Sequence, residues 1–306
     1  MAQWRASLTM RNILRSDFAW AWCGVAAVAL LDIVLCARMG FDLAVTWRDF
    51  ALAFAAFGAV AMAHVAGSRR FSLVAEYFTL TLLATVVFAV LSYLAMAVPG
   101  PLFDARLLAA DRVLGFDWLA GFHWLEAHPA ASGVLQFVYN SLVYQGLYFG
   151  VLLGLMQRRD DLRKVFWIVF VAGLLTSAGA ALFPAFGPYK TFGLESQGAF
   201  LPDMERLRAH DLHFALAKLT GVVSFPSFHT TMALIYAYAF RRTGVIGWAM
   251  AGLNLAMLVS IPYFGGHYLT DMIAGAGVML ASVGIVAAWP RLIAVRRLVL
   301  VQEAAR

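Results

Sequence analysis

Eight long apolar blocks divide this chain, at 18 to 36, 50 to 67, 77 to 98, 133 to 156, 165 to 184, 226 to 240, 245 to 263 and 268 to 289. Most run for roughly 17 to 25 residues between Arg, Pro or Gly, the length a helix needs to cross about 30 Å of hydrocarbon. Backbone in lipid must satisfy its own hydrogen bonds, so such blocks leave a bundle of helices as the fold. Of 306 residues, 62% are hydrophobic and 13% charged, and mean hydropathy is +0.78, more than a single soluble core of this size requires. The expected class is all-α, a polytopic membrane bundle of about eight transmembrane helices.

Cys23 and Cys36 both lie in the first block, so they supply neither a disulfide framework nor a metal site. That block follows Arg5, Arg11 and Arg15, as the core of a signal peptide would. It is long and no small-x-small cleavage site follows it, so a retained span is expected. The net charge of +6 comes from basic residues at span ends rather than on one face, which argues against nucleic acid as a partner.

Those charges give an orientation. The N-terminal tail, 68 to 76, 157 to 164, 241 to 244 and the C-terminal tail together hold 15 of the 23 Lys and Arg. The positive-inside rule places this set, and with it both termini, in the cytoplasm. The segments 37 to 49, 99 to 132, 185 to 225 and 264 to 267 then face outward. Within them, 104 to 114 and 207 to 219 alternate leucines with charges and read as short interfacial helices. Asp32 is the one acid well inside a span, where Asn140, Gln145, Asn254 or the headgroups are its possible partners.

Three polar clusters fall on the outward side. The first is Gly187 to Lys190 (GPYK). The second is Ser224 to His229 (SFPSFH), in which Pro226 suits the first turn of a helix. The third is Gly265 to Asp271 (GGHYLTD), in which two glycines permit a reversal and His267 and Asp271, four apart, share a helical face. Helix N-termini carry free amides and partial positive charge, so the openings of spans six and eight are expected to cradle a phosphate.

Residue types then suggest a chemistry. A neutral His267 oriented by Asp271 is a nucleophile able to attack phosphorus, and His229 is placed to be the general acid and base. Lys190, Ser227, Phe228 and nearby backbone amides are the candidates for holding the phosphate. The reaction needs no metal and no cofactor. A two-His, one-carboxylate metal site built from the same three residues is the alternative, and chelator-resistant turnover would exclude it. His64, His123, His128, His210 and His213 have no partner at a telling spacing.

The PSFH and GGHYLTD segments resemble the second and third signature motifs of the type 2 phosphatidic acid phosphatase superfamily, and are more similar to its inositolphosphotransferase branch, which includes inositol phosphorylceramide synthase. The resemblance is carried by Pro226, Ser227 and His229, then His267, Tyr268, Asp271 and Gly275. It implies that His267 is the nucleophile, Asp271 its orienter and His229 the acid and base. It also implies a catalytic membrane domain at 99–290, between N-terminal helices at 1–98 and a basic cytoplasmic tail at 291–306. Phe228 stands where the phosphatases have Gly, Ile261 stands where they have Arg, and their first motif is absent. Loss of those arginines removes bidentate grips that a dianionic phosphomonoester needs more than a monoanionic diester does.

The expected function is therefore transfer of a phospho-head group, phosphoinositol among the candidates, between membrane lipids through a phosphohistidine on the extracytoplasmic face. A lipid phosphate phosphatase of phosphatidate or polyprenyl phosphate type is the alternative. A lipid transporter or flippase is a third class, but beyond Asp32 the spans show neither mid-membrane ionisable residues nor related halves.

Overall fold

The structure, a computed structural model, describes residues 18–304, with side chains given for all of these except 52 and 290–304. Arg5, Arg11, Arg15 and Arg306 of the expected cytoplasmic tails lie outside the described residues, as do the side chains of Arg291, Arg296 and Arg297. Eight long helices follow the eight apolar blocks: α1 (Ala19–Met39), α2 (Trp47–Val65), α3 (Arg69–Ala97), α6 (Pro129–Leu155), α7 (Arg159–Leu182), α10 (Phe228–Phe240), α11 (Val245–Phe264) and α12 (Leu269–Ala304). Between them lie short helices α4 (Asp104–Val113), α5 (Trp118–Ala127), α8 (Pro188–Thr191) and α9 (Leu201–Arg208).

Several helices begin before their apolar block does. Ser68 caps α3 by accepting from the Phe71 amide, and the helix then carries Glu76 inside the bundle, where Trp22 Nε1 donates to it at 3.0 Å. An acid accommodated in this way extends the helix without leaving an unpaired carboxylate in lipid. Asp160 and Asp161 occupy the first turn of α7, where carboxylates favour the helix dipole.

By length and composition, six of the described helices can cross a membrane: α1, α2, α3, α7, α11 and the 269–289 part of α12. Helix α6 carries Gln136, Asn140, Ser141 and Gln145, and α10 has 13 residues, about 20 Å of axis. Neither meets that measure. Trp20, Phe54, Phe137 and Trp248 are each more than 70% exposed on the outer surface, which suits lipid and would be costly in water. The chain is an integral membrane protein.

Tyr77, Leu80, Phe149, Leu162, Ile168 and Phe240 pack between the long helices. A further cluster joins Tyr93, near the end of α3, to Trp118, Leu201, Met204, Leu207 and Phe214 in the segments expected to face outward. Those segments interlock as a cap over one end of the bundle. Phe103 N–H donates to Pro184 O at 2.9 Å, Trp118 Nε1–H to Pro262 O at 2.8 Å and Arg208 to Val98 O at 2.6 Å.

The expected interfacial helix at 104 to 114 is α4. The one expected at 207 to 219 is not there: α9 ends at Arg208 and His210 turns the chain at φ 58°. Residues His213–Ala215 then form a strand, β2, parallel to β1 (Asp42–Ala44). Backbone pairing across the cap outweighs the leucine pattern there. Asp32 is 5% exposed in α1 and its Oδ1 has no partner among the described residues, while Asn254 donates to Gln145 instead, at 2.8 Å.

Candidate active site

The three polar clusters meet at the cap end of the bundle. Ser227 caps α10: its hydroxyl accepts from the Thr230 amide at 3.3 Å, and its own amide donates to Asp271 O at 3.0 Å. Gly275 makes this approach possible, since a Cβ there would lie 2.4 Å from Ser227 O. Thr231 Oγ1 closes the same seam on Gly275 O at 2.9 Å. The opening of α10 is thus drawn against the first two turns of α12, which brings His229 beside His267. Their ring centroids are 5.8 Å apart.

His267 stands two residues before α12, after Gly266 with φ 62°. It is 2% exposed and Asp271 is fully buried. Nδ1 of His267 faces Asp271 Oδ2 at 3.5 Å, longer than a formed hydrogen bond, and that oxygen accepts instead from the Tyr268 amide at 2.9 Å. The facing carboxylate favours the tautomer with hydrogen on Nδ1, which leaves the Nε2 lone pair for chemistry. Burial lowers the His267 pKa to about 4, against a smaller raising effect from the Ser224 backbone, so the ring is neutral at physiological pH.

Among the described residues, few buried polar side-chain atoms lack a hydrogen-bond partner, and Ser224 Oγ, His267 Nδ1 and Asp271 Oδ1 are three of them. Each such atom costs about 1–3 kcal/mol, so three in one place mark a site kept for something other than stability.

The opening of α12 is not free for an anion. Asp111, from α4, accepts from the Leu269 and Thr270 amides and the Thr270 hydroxyl, at 2.8, 2.8 and 2.6 Å. A carboxylate from another helix already holds the amides expected to bind phosphate. Asp104, two turns earlier on the same face of α4, accepts from the Phe186 and Gly187 amides at 3.1 and 2.8 Å and from Tyr268 Oη at 3.3 Å. It fixes the GPYK segment against Gly266, whose carbonyl a Cβ on Gly187 would meet at 2.5 Å.

Lys190 points elsewhere: its ammonium pairs with Glu205 at 2.5 Å and Glu195 at 3.3 Å. Those two acids raise its pKa. Arg206 pairs with Asp211 at 2.7 Å, and Arg208 donates to the carbonyls of Met96, Val98 and Gly100 at the end of α3. Phe228 and His229 line an internal cavity. Of the residues expected at the site, the structure brings His229, His267, Asp271, Ser227 and Phe228 together and turns Lys190 toward the glutamates.

Residues 105–285 match the model of the PAP2 superfamily. The chain belongs to that superfamily. No curated protein and no solved structure gives a match. PAP2 membership makes this a lipid phosphatase or phosphotransferase type of protein. The matched segment includes both histidines and Asp271 and leaves α1, α2 and α3 outside it.

Three residues around this site lie outside the polar clusters read from sequence: Asp104, Asp111 and Tyr139, whose Oη lies 2.9 Å from His229 Nε2. The two aspartates are seven apart on an amphipathic helix, a spacing that places both on one face, and that was the available signal. Tyr139 carried none, being one of several polar residues in α6. Among the described residues, no three His, Cys, Asp or Glu side chains converge as a metal site requires. His64 and His128 bond to carbonyls of their own helical turns, and His123 pairs with Glu126.

Proposed function

We propose that this protein transfers a phospho-head group between membrane lipids by double displacement on His267. The observation that carries the proposal is the buried His267–Asp271 pair standing 5.8 Å, ring to ring, from His229. In the first step His267 Nε2 attacks phosphorus, the bond from phosphorus to the leaving oxygen breaks, and His229 as imidazolium gives that oxygen its proton. In the second, an acceptor hydroxyl loses its proton to His229, its oxygen attacks phosphorus, and the P–N bond breaks to restore neutral His267. The closeness of the two rings and their residue type support these roles.

Transfer is favoured over hydrolysis by the commitments of the cations. Lys190, Arg206 and Arg208 are engaged by carboxylates and carbonyls, which suits a monoanionic diester better than a dianionic monoester. The motif likeness to the inositolphosphotransferase branch supports phosphoinositol as the head group. The distribution of Lys and Arg along the sequence supports an extracytoplasmic site with both termini in the cytoplasm.

The test is to incubate purified protein with head-group-labelled phospholipid and an unlabelled lipid alcohol. Label appearing in a second lipid supports transfer; label in free phosphate or free head-group phosphate makes the protein a hydrolase. Label that moves across a vesicle bilayer with no new product would make it a transporter.

A further inference from the structure

A cavity of about 250 Å³ opens beside His229. It runs between α3 from Tyr77 to Ser92, α7 from Phe166 to Ser177 and α10 from Phe228 to Tyr236. On α3 that stretch is about 22 Å of axis, so the space is long rather than round. Its polar groups are densest at one end, with Thr81 and Thr85 farther along α3. Ser92, Thr176, Ser177 and Thr220 accompany His229 at the cap end, where Val222 N–H donates to Ser92 Oγ at 3.1 Å. Tyr77, Phe166, Phe170 and Tyr236 line the far end. Thr176 Oγ1, at the polar end, is buried without a partner among the described residues.

A polar mouth at the reacting histidine and an aromatic far end match the two ends of a lipid. A cavity of roughly 150 Å³ takes up a six-carbon ring, so one of this size takes up roughly ten carbons of a chain. A small polar ligand would leave the aromatic end unfilled. One wall belongs wholly to α3, which lies outside the segment matching the PAP2 superfamily.

We infer that this cavity receives one hydrocarbon chain of the lipid substrate, with its phosphate at His229, and that α3 sets which chains are accepted. The inference rests on the phosphoryl-transfer reading of the site. It assigns tail selectivity to a helix added to the family core, while the core supplies the chemistry.

The experiment has two arms. In the first, Thr85→Leu and Ala89→Leu, both on the cavity wall of α3, are compared with the parent chain on a hexadecyl phosphodiester lipid and its butyl analogue. The expected result is a KM for the hexadecyl substrate raised by about tenfold or more with butyl turnover unchanged. Equal loss on both substrates, or no change on either, overturns the inference. In the second arm, a lipid phosphodiester with a diazirine at its chain end is photolysed on the parent protein. Label within 77–85 of α3 or at Phe166 and Tyr236 supports the chamber, and label confined to outward residues such as Phe137 and Trp248 overturns it. Labelling needs no turnover, so an inactive parent chain counts against the transfer reading while the chamber is still decided.

Discussion

Tyr139 Oη lies 2.9 Å from His229 Nε2, and the two rings stack with centroids 4.9 Å apart and planes 20° from parallel. The stack fixes the plane of the imidazole and the hydrogen bond fixes its rotation, so Tyr139 positions His229, the acid and base of the proposed transfer. Tyr139→Phe keeps the stack and removes the bond. One hydrogen bond of about 1 kcal/mol net corresponds to a roughly fivefold loss. That loss is expected in kcat with KM little changed, together with an altered pH profile. An unchanged profile and rate would show that His229 is held by packing alone.

Asp111 holds the opening of α12 from a different helix, its carboxylate accepting three hydrogen bonds. Asp111→Ala leaves two buried amides without acceptors and is expected to destabilise the protein by about 2–4 kcal/mol. Thermal unfolding in detergent reads this directly. Asp111→Asn retains an acceptor and is expected to lose less. Equal stability of parent and Asp111→Ala would mean that the α12 amides find other partners.

Burial sets the pH response of His267. Its pKa in the fold is about 4, below the ordinary value of 6.5, and the neutral form is the one the proposed transfer uses as nucleophile. As pH falls through 6.5 the unfolded chain takes up a proton that the folded chain refuses, so this group costs stability progressively down to about pH 4. The nucleophile itself stays neutral over that range. The acidic limb of phosphoenzyme formation is therefore expected near pH 4, and a limb near pH 6.5 would place His267 in contact with water.

Lys190 gives the sharpest test of the phosphate site. Its ammonium is half-exposed and already paired with Glu195 and Glu205. Lys190→Ala is expected to change KM for the lipid substrate by less than about threefold. A rise of tenfold or more would mean that the side chain leaves the glutamates to grip phosphate.

The long helices, and the placing of His267 and Asp271 on neighbouring turns, were legible in the sequence because their signals are local. Hydrocarbon thickness imposes a length on each span, and His267 and Asp271 lie one helical turn apart. The short helix at Asp104–Val113 is visible for the same reason, though nothing in its pattern marks Asp104 and Asp111 as the acceptors they are for backbone amides of other segments. What could not be read depends on distant pairing. The strand at His213–Ala215 exists because Asp42–Ala44 lies beside it, 171 residues away in register. The anion site expected at the α12 opening fails because Asp111 arrives from α4, and Lys190 is turned aside by glutamates in two neighbouring turns. Spacing along the chain carries none of these contacts.

The central claim is covalent chemistry at His267. Brief exposure to a lipid with isotopically labelled phosphorus, followed by denaturation at alkaline pH and peptide mapping, is the most direct measurement. The expected result is acid-labile label on the peptide containing His267, absent from His267→Ala, with turnover in that variant reduced by roughly a thousandfold or more. Label on another residue, or full turnover by His267→Ala, would contradict the mechanism.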